Sequence, residues 1–221
     1  MGCIGDEVLV GRSWLGAHRL HGGPASCTDV RGTYDWPVAS DSLPSTPRLT
    51  MRRFERDDLP VMVAYRSHPE VARLQSWTPE WSMVDAEEFL RRDRVIALGT
   101  RGAWTQVALE ERSTGTVVGD LALHFLATQP HTVELGITLA PAHQRRGLGS
   151  EALRGVITWL FEQHGAHRVL AQTDARNASM RRLLDRVGLR QEAELREADW
   201  WKGEWTTLCI YAVLAREWAT G

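Results

Sequence analysis

From Arg48 onward the polar and apolar positions fall into runs of two periods. Leu49-Thr50-Met51-Arg52-Arg53-Phe54 alternates as an edge strand does. Asp57 and Asp58 ahead of Pro60 then predict a helix to about Arg66, because carboxylates suit a helix N-terminus and proline is tolerated in the first turn. A short helix is expected after Pro69, and Val84, Glu87, Glu88, Phe89 and Leu90 mark another through Asp93. Alternating runs at 104–111 and 116–126 flank Ser113-Thr114-Gly115, a hairpin signal, and a further strand is expected over 131–139. From Glu151 the residues Ala152, Leu153, Val156, Ile157, Leu160 and Phe161 repeat on one helical face, with Gly165 placed to close it. A strand at 168–173 follows, then a helix over 178–187 with Met180, Leu183, Leu184 and Val187 inward and Gly188 at its end. The last strands are expected at 189–195 and 205–214, joined through Lys202-Gly203. Early hairpins followed by helix-crossed strands predict an α/β protein with a mixed sheet and helices on both faces.

Residues 1–46 carry no such period. They are rich in Gly, Ser and Pro and end in Ser42-Leu43-Pro44-Ser45-Thr46-Pro47, so a flexible or loosely docked leader is expected ahead of one domain at 47–221. The alternative is a short strand over 7–10 with Trp14 and Trp36 clamped on the domain. With 221 residues, 43% of them hydrophobic and 24% charged, the chain is long enough for one well-buried core. A net charge of −2 gives no global attraction to nucleic acid or to an anionic membrane, so neither is expected as a partner. Cys3, Cys27 and Cys209 are odd in number and far apart, which argues against a disulfide scaffold or a metal site and fits a reducing cytoplasm. No apolar run reaches the length of a membrane span, and the N-terminus lacks a signal-peptide pattern.

The candidate chemistry gathers at Gln144-Arg145-Arg146-Gly147-Leu148-Gly149-Ser150. Two glycines before a helix let the main chain approach a ligand, and the helix offers free N–H groups and the positive end of its dipole. A phosphate or diphosphate is the natural guest, with Arg145 and Arg146 adding charge at the rim. Gly147-x-Gly149-x-x-Ala152 also fits the dinucleotide fingerprint, with Asp174 as its acid. Against that reading, Ala140 to Arg146 intervene between strand and glycine, and only 72 residues follow Gly149. No Lys-Ser or Lys-Thr follows, so a P-loop fails as well.

The loop resembles the Q/R-x-x-G-x-G/A motif of the GNAT N-acetyltransferases, with Gln144, Gly147 and Gly149 at its specified positions. Thr116-Val117-Val118-Gly119, Glu134-Leu135-Gly136, Ser150-Glu151-Ala152-Leu153, His167-Arg168, Asn177, Val187-Gly188-Leu189, Leu195-Arg196-Glu197 and Arg216-Glu217-Trp218 extend the resemblance to the ribosomal-protein N-terminal acetyltransferase branch, the RimJ/RimL type. It implies the GNAT fold, a mixed central sheet of about seven strands with helices on both faces. It also implies acetyl-CoA, or another short acyl-CoA, as co-substrate. Residues 144–150 would bind its diphosphate, and Ile137, Thr138 and Leu139 would meet its pantetheine amides and acetyl carbonyl. Asn177 would touch the pantetheine arm, with helix capping as a compatible second role. No metal is implied.

Acyl transfer to an amine needs a base for the nucleophile and donors for the developing oxyanion. Glu134 holds the strand position from which the family supplies a carboxylate, and is the candidate base, acting through a bound water; His124 and His131 are its rivals. Trp77, Glu80 and Trp81 fall in the region that the resemblance assigns to the acceptor pocket. Trp200 and Trp201, beside Lys202 and Trp205, suit a pocket wall, a homodimer contact or plain packing. Two departures stand out. Met180 replaces the usual serine three residues after Asn177, and Leu184 replaces the tyrosine that would protonate the leaving thiolate, with Tyr211 a weak substitute. The expected activity is acetyl transfer to a primary amine, small molecule or protein N-terminus, by direct attack in a ternary complex. A non-catalytic coenzyme A-binding sensor and a succinyl-CoA-using acyltransferase are the alternatives.

Overall fold

The computed structural model describes residues 42–219. Among them seven strands form one sheet in the order β1 (Leu49–Arg52), β2 (Trp104–Glu111), β3 (Thr116–Phe125), β4 (Thr132–Leu139), β5 (Arg168–Asp174), β7 (Glu204–Leu214) and β6 (Arg190–Trp201). Every neighbouring pair is antiparallel except β4 and β5. Parallel neighbours need a long crossover, and α4 (Leu148–Glu162) supplies it. The remaining helices are α1 (Leu59–Arg66), α2 (Pro69–Ala72), α3 (Met83–Arg94), α5 (Ala178–Val187) and α6 (Ala215–Trp218). The sheet is mixed and has helices on both faces, as the pattern predicts.

Local chemistry sets the helix ends. Asp58 is held by two bonds from the Arg52 guanidinium, at 2.7 and 2.8 Å, and this fixes the turn that launches α1. Ser82 and Asp85 form a reciprocal capping box at the start of α3. Two boundaries differ from expectation. The helix expected from Glu151 begins at Leu148, because Gly147 takes a left-handed φ of 79° as its N-cap and turns the next three residues into the first helical turn. β6 runs on to Trp201 through an irregularity between Leu195 and Asp199, which leaves only Lys202 and Gly203 at the hairpin tip.

The two sheet faces differ. Residues directly opposite one another across strands share a face. Leu121, Leu123, Val133 and Leu135 point to one side and pack with Leu153, Val156 and Leu160 of α4 and Leu184 of α5. On the other side Trp104, His124 and Glu134 form one cross-strand row, and Ala108, Asp120 and Thr138 another. There α1 and α3 cover the sheet through Leu59, Met62, Ala86 and Leu90 against Ala108 and Val117.

The end of the expected leader lies on the domain. Trp159 donates its indole N–H to the Ser42 carbonyl at 3.0 Å, and Thr46 donates to Glu151 at 2.6 Å. Residues 42–48 therefore run along α4 from its C-terminal end toward its N-terminal end. The strand expected over 7–10, Trp14 and Trp36 lie outside the described residues.

Candidate active site

β4 and β5 pair only from Thr132↔Arg168 to Glu134↔Leu170. Beyond that register β4 keeps β3 on one edge through Leu139, while β5 stays with β7 through Asp174. The two strands thus splay into a wedge with Glu134 at its apex. The five residue steps from Glu134 to Leu139 span roughly 17 Å at strand rise. From Leu139 the chain passes through Pro141–His143 to the Gly147 loop, so the mouth of the wedge meets the start of α4. Asn177, at the start of α5, lines the same cavity as Glu134, Ile137, Thr138 and Met180.

The mouth suits an anion. No side chain caps α4, and the first N–H groups of a helix have no partner within it. Ser150 Oγ is buried with no hydrogen-bond partner among the described residues, a donor in wait for an acceptor. The flanking residues divide their work. Arg145 is exposed with φ of 60°, whereas Arg146 is committed to Glu111 at 2.6 Å and to His143 Nδ1 at 2.9 Å. Gln144 donates to the Leu139 carbonyl at 3.0 Å and so ties the loop to the end of β4. Gly149 faces inward: a Cβ there would sit 3.3 Å from Leu183 and 3.4 Å from Leu139, so its small size serves the packing of α4. Leu148 is fully buried beside it. Asn177 Oδ1 accepts from Met180 N–H at 3.1 Å, which makes it the α5 cap as well as a cavity residue.

The apex suits proton transfer. Glu134 is only 3% exposed, and burial pushes its carboxyl above the ordinary carboxylate range, with His124 and Gln172 pulling it back only in part. His124 Nδ1 lies 3.8 Å from the carboxylate, beyond hydrogen-bond length, and its ring stacks on Trp104 at 4.8 Å. His131 is turned away, with Nδ1 3.1 Å from the Gly165 carbonyl. Tyr211 lies outside the cavity: its hydroxyl donates to Gln191 at 3.0 Å and accepts from Arg181 at 3.3 Å. Leu184 is buried in the core.

Of the acceptor-pocket candidates singled out in the sequence, Trp77 and Trp201 line the cavity, and Glu80, Trp81 and Trp200 do not. Glu80 is exposed at the loop surface. Trp81, Trp77 and Phe89 stack around the buried Arg66 guanidinium at 4.7, 4.4 and 5.0 Å. Trp200 is exposed and meets Trp205 edge-on at 5.3 Å. Sequence reasoning missed Trp104, Asp120 and Gln172 and weighed Asp174 only as the acid of a dinucleotide fingerprint; all four line the cavity. Asp120 carried a signal, as an acid inside an apolar strand. Gln172 and Asp174 carried another, as polar residues two apart in β5 and therefore on one face.

Asp120 Oδ2 accepts from Tyr65 and, at 3.2 Å, from Arg66. Asp174 is held by the Arg176 guanidinium at 2.8 and 3.0 Å. Among the described residues no group of three or more His, Cys, Asp or Glu side chains is arranged to hold a metal. Nor is any helix among them long and apolar enough to cross a membrane.

A wedge between splayed parallel strands, open to an uncapped helix, defines a class by itself, and comparison with known proteins agrees. The acetyltransferase (GNAT) domain matches residues 48–190, more than half of the chain. The N-acetyltransferase p20 of Bacillus licheniformis, itself uncharacterised, is 26% identical over 174 residues, 79% of this chain and 97% of that one. The crystal structure of a GNAT-family acetyltransferase from Bacillus anthracis superposes with a TM-score of 0.69 at 23% identity, covering 79% of this chain and 99% of that one. Spermidine N-acetyltransferase from Vibrio cholerae, in complex with CoA and spermine, superposes with a TM-score of 0.67 at 19% identity, covering 78% and 98%. The chain belongs to the GNAT acetyltransferase family and is an acyl-CoA-dependent N-acyltransferase.

Proposed function

We propose that the protein moves an acetyl group from acetyl-CoA to a primary amine by direct attack within a ternary complex, with Glu134 as general base. One observation carries the reading: a buried carboxylate with a raised pKa sits at the apex of a wedge whose mouth is an uncapped helix N-terminus. The first N–H groups of α4, the Gly147 turn, Ser150 Oγ and Arg145 hold the diphosphate. The edge of β4 from Leu135 to Leu139, freed of β5, pairs with the pantetheine amides and offers N–H groups to the carbonyl oxygen as charge develops there. Glu134 takes the ammonium proton, directly or through a water, as the nitrogen attacks. A C–N bond forms, the C–S bond breaks, and the electron pair leaves with the thiolate. With Leu184 in the core and Tyr211 engaged elsewhere, solvent or the amine's released proton neutralises that thiolate, a tolerable leaving group at a thiol pKa of about 8.5. Among the described residues no Lys or Arg lines the cavity, which favours a neutral acetyl group over an anionic succinyl group.

The test is release of free thiol from acetyl-CoA across a panel of amines, with Glu134→Gln alongside. The variant is expected to lose about 10²- to 10⁴-fold in kcat/KM while binding acetyl-CoA as the parent does by calorimetry. A variant that keeps more than a tenth of the rate removes Glu134 from the chemistry. Tight acetyl-CoA binding with no thiol release for any amine would make the protein a binding module.

A further inference from the structure

We infer that the acceptor end of this cavity takes a singly charged amine carried on a flat apolar body, such as an arylalkylamine, and discriminates against polyamines. The inference rests on the proposed acetyl transfer only for where the amine points; the chamber itself is read from its walls.

Three carboxylates line the cavity, and two are already spent. Asp174 is gripped through both oxygens by the Arg176 guanidinium. Asp120 is neutralised by Arg66, which is buried with it, and also takes the Tyr65 hydroxyl. Glu134 is different: among the described residues no Lys or Arg lies within ion-pair distance of it, and its one such neighbour is His124 at 3.8 Å. A ligand therefore finds one uncompensated negative charge. A polyamine would bring a second or third ammonium into a buried space where no free carboxylate receives it, and an unpaired buried charge is strongly unfavourable.

The other walls are aromatic. Trp77, Trp104 and Trp201 come from three separate elements and converge on the cavity. Trp77 is fixed by its indole N–H on the Arg66 carbonyl at 2.9 Å, and Trp104 by its stack on His124. Trp201 is brought in by its neighbour Lys202, whose ammonium donates to the carbonyls of Ala72 and Trp77, both at 2.7 Å. That clasp ties the β6–β7 hairpin tip to the α2–Trp77 loop. Indole faces favour a planar apolar body by stacking and a nearby cation by their quadrupole. A single ammonium on an aromatic body satisfies both the lone carboxylate and the walls.

The experiment is calorimetric titration of 2-phenylethylamine, spermidine and a short peptide with a free α-amino group into the protein saturated with coenzyme A. Phenylethylamine is expected to bind at least tenfold more tightly than spermidine. Trp201→Ala and Trp104→Leu, each checked for a native circular dichroism spectrum, are expected to erase most of that preference. Using two variants guards against one that fails to fold. Spermidine or the peptide binding as well as phenylethylamine, no amine binding at all, or a preference untouched in both folded variants overturns the inference. Selective binding without thiol release would instead sink the proposed catalysis and leave the chamber standing.

Discussion

On the side of the sheet that meets α4, Leu121, Leu123, Val133 and Leu135 are buried among apolar helix side chains; the same two strands send Asp120, His124, Glu134 and Thr138 to the other side. Both sides are closed to solvent, so the difference is one of how each group is satisfied. The α4 side gains from burial alone, about 1.5–3 kcal/mol for a large apolar side chain. The α1–α3 side must partner every polar group or bear its desolvation. Thr138 accepts from Gln75 at 3.2 Å, and Asp120 has Tyr65 and Arg66. Glu134 is the one of the three cavity carboxylates with no Lys or Arg partner among the described residues, so a cationic substrate would supply a countercharge that the protein does not. What sets the candidate site apart on this face is an acid whose charge is left uncompensated.

The strongest way to break this contrast is at Asp120. Replacing it with alanine leaves the Arg66 guanidinium buried, 1% exposed, with its Nε already unpartnered and its carboxylate gone. Removing one partner of a buried pair costs about 3–5 kcal/mol. Chemical denaturation of Asp120→Ala should show that loss, and a change under about 1 kcal/mol would mean the polar side does not depend on its pairs.

Glu134 should behave in the opposite way, mattering for rate and not for folding. With an alkylamine that stays an ammonium near neutrality, the parent needs ionised Glu134, so kcat/KM rises with pH and levels off above the raised pKa of that carboxyl. Glu134→Gln must wait for the rare neutral amine, and its kcat/KM should keep climbing about tenfold per pH unit, near a hundredfold from pH 6 to pH 8. Parallel profiles for the two proteins would remove the carboxylate from the proton path.

The same contrast explains what could be read from the sequence. The α4 side was legible because its signal is periodic: Ala152, Leu153, Val156, Ile157 and Leu160 announce the helix and its buried face, and the strands opposite announce themselves by alternation. The loop ahead of α4, the proposed anion cradle, was legible as a loop because two glycines and the helix they precede lie in seven consecutive residues. The cavity proposed to receive the acceptor is lined from the Trp77 loop, β2, β3, β4, β5 and β6, so no local window holds it. Trp104 reads as an ordinary strand tryptophan until register puts it in one row with His124 and Glu134. Trp200 adjoins Trp201 in sequence but not in the cavity, because neighbours along a strand face opposite ways, and Glu80 lies exposed in the turn that follows Trp77. Helix starts were misjudged where a glycine, not a polar cap, begins the helix, as at Gly147.

The conformation of Gly147, at the start of α4, offers a smaller test. Gly147→Ala forces a Cβ into a left-handed position, at about 1–2 kcal/mol, with that atom 3.4 Å from Arg48 Nη2. If the turn exists to aim N–H groups at a diphosphate, coenzyme A affinity should fall roughly tenfold. Binding of 2-phenylethylamine in the presence of saturating coenzyme A should stay as it was. Equal weakening of both ligands would show that the two ends of the cavity are not separable.

The smallest effect tests the apolar side, where His164 breaks the pattern. Its ring lies 4.0 Å from Trp159 and 6.1 Å from Phe125, and neither ring nitrogen has a hydrogen-bond partner among the described residues. Burial holds its pKa below the ordinary value of about 6.5. The unfolded chain takes up that proton at the ordinary value while the folded chain resists, so below about pH 6.5 the unfolded state binds more protons and stability declines as the pH drops. One such proton accounts for at most about 1.4 kcal/mol per pH unit. Urea denaturation at pH 7.5 and 5.5 should therefore show the parent losing more stability than His164→Leu, whose apolar side chain has no proton to take up. Equal losses in the two proteins would mean that water or rearrangement already satisfies the ring, and that the α4 side tolerates a buried polar group without partners.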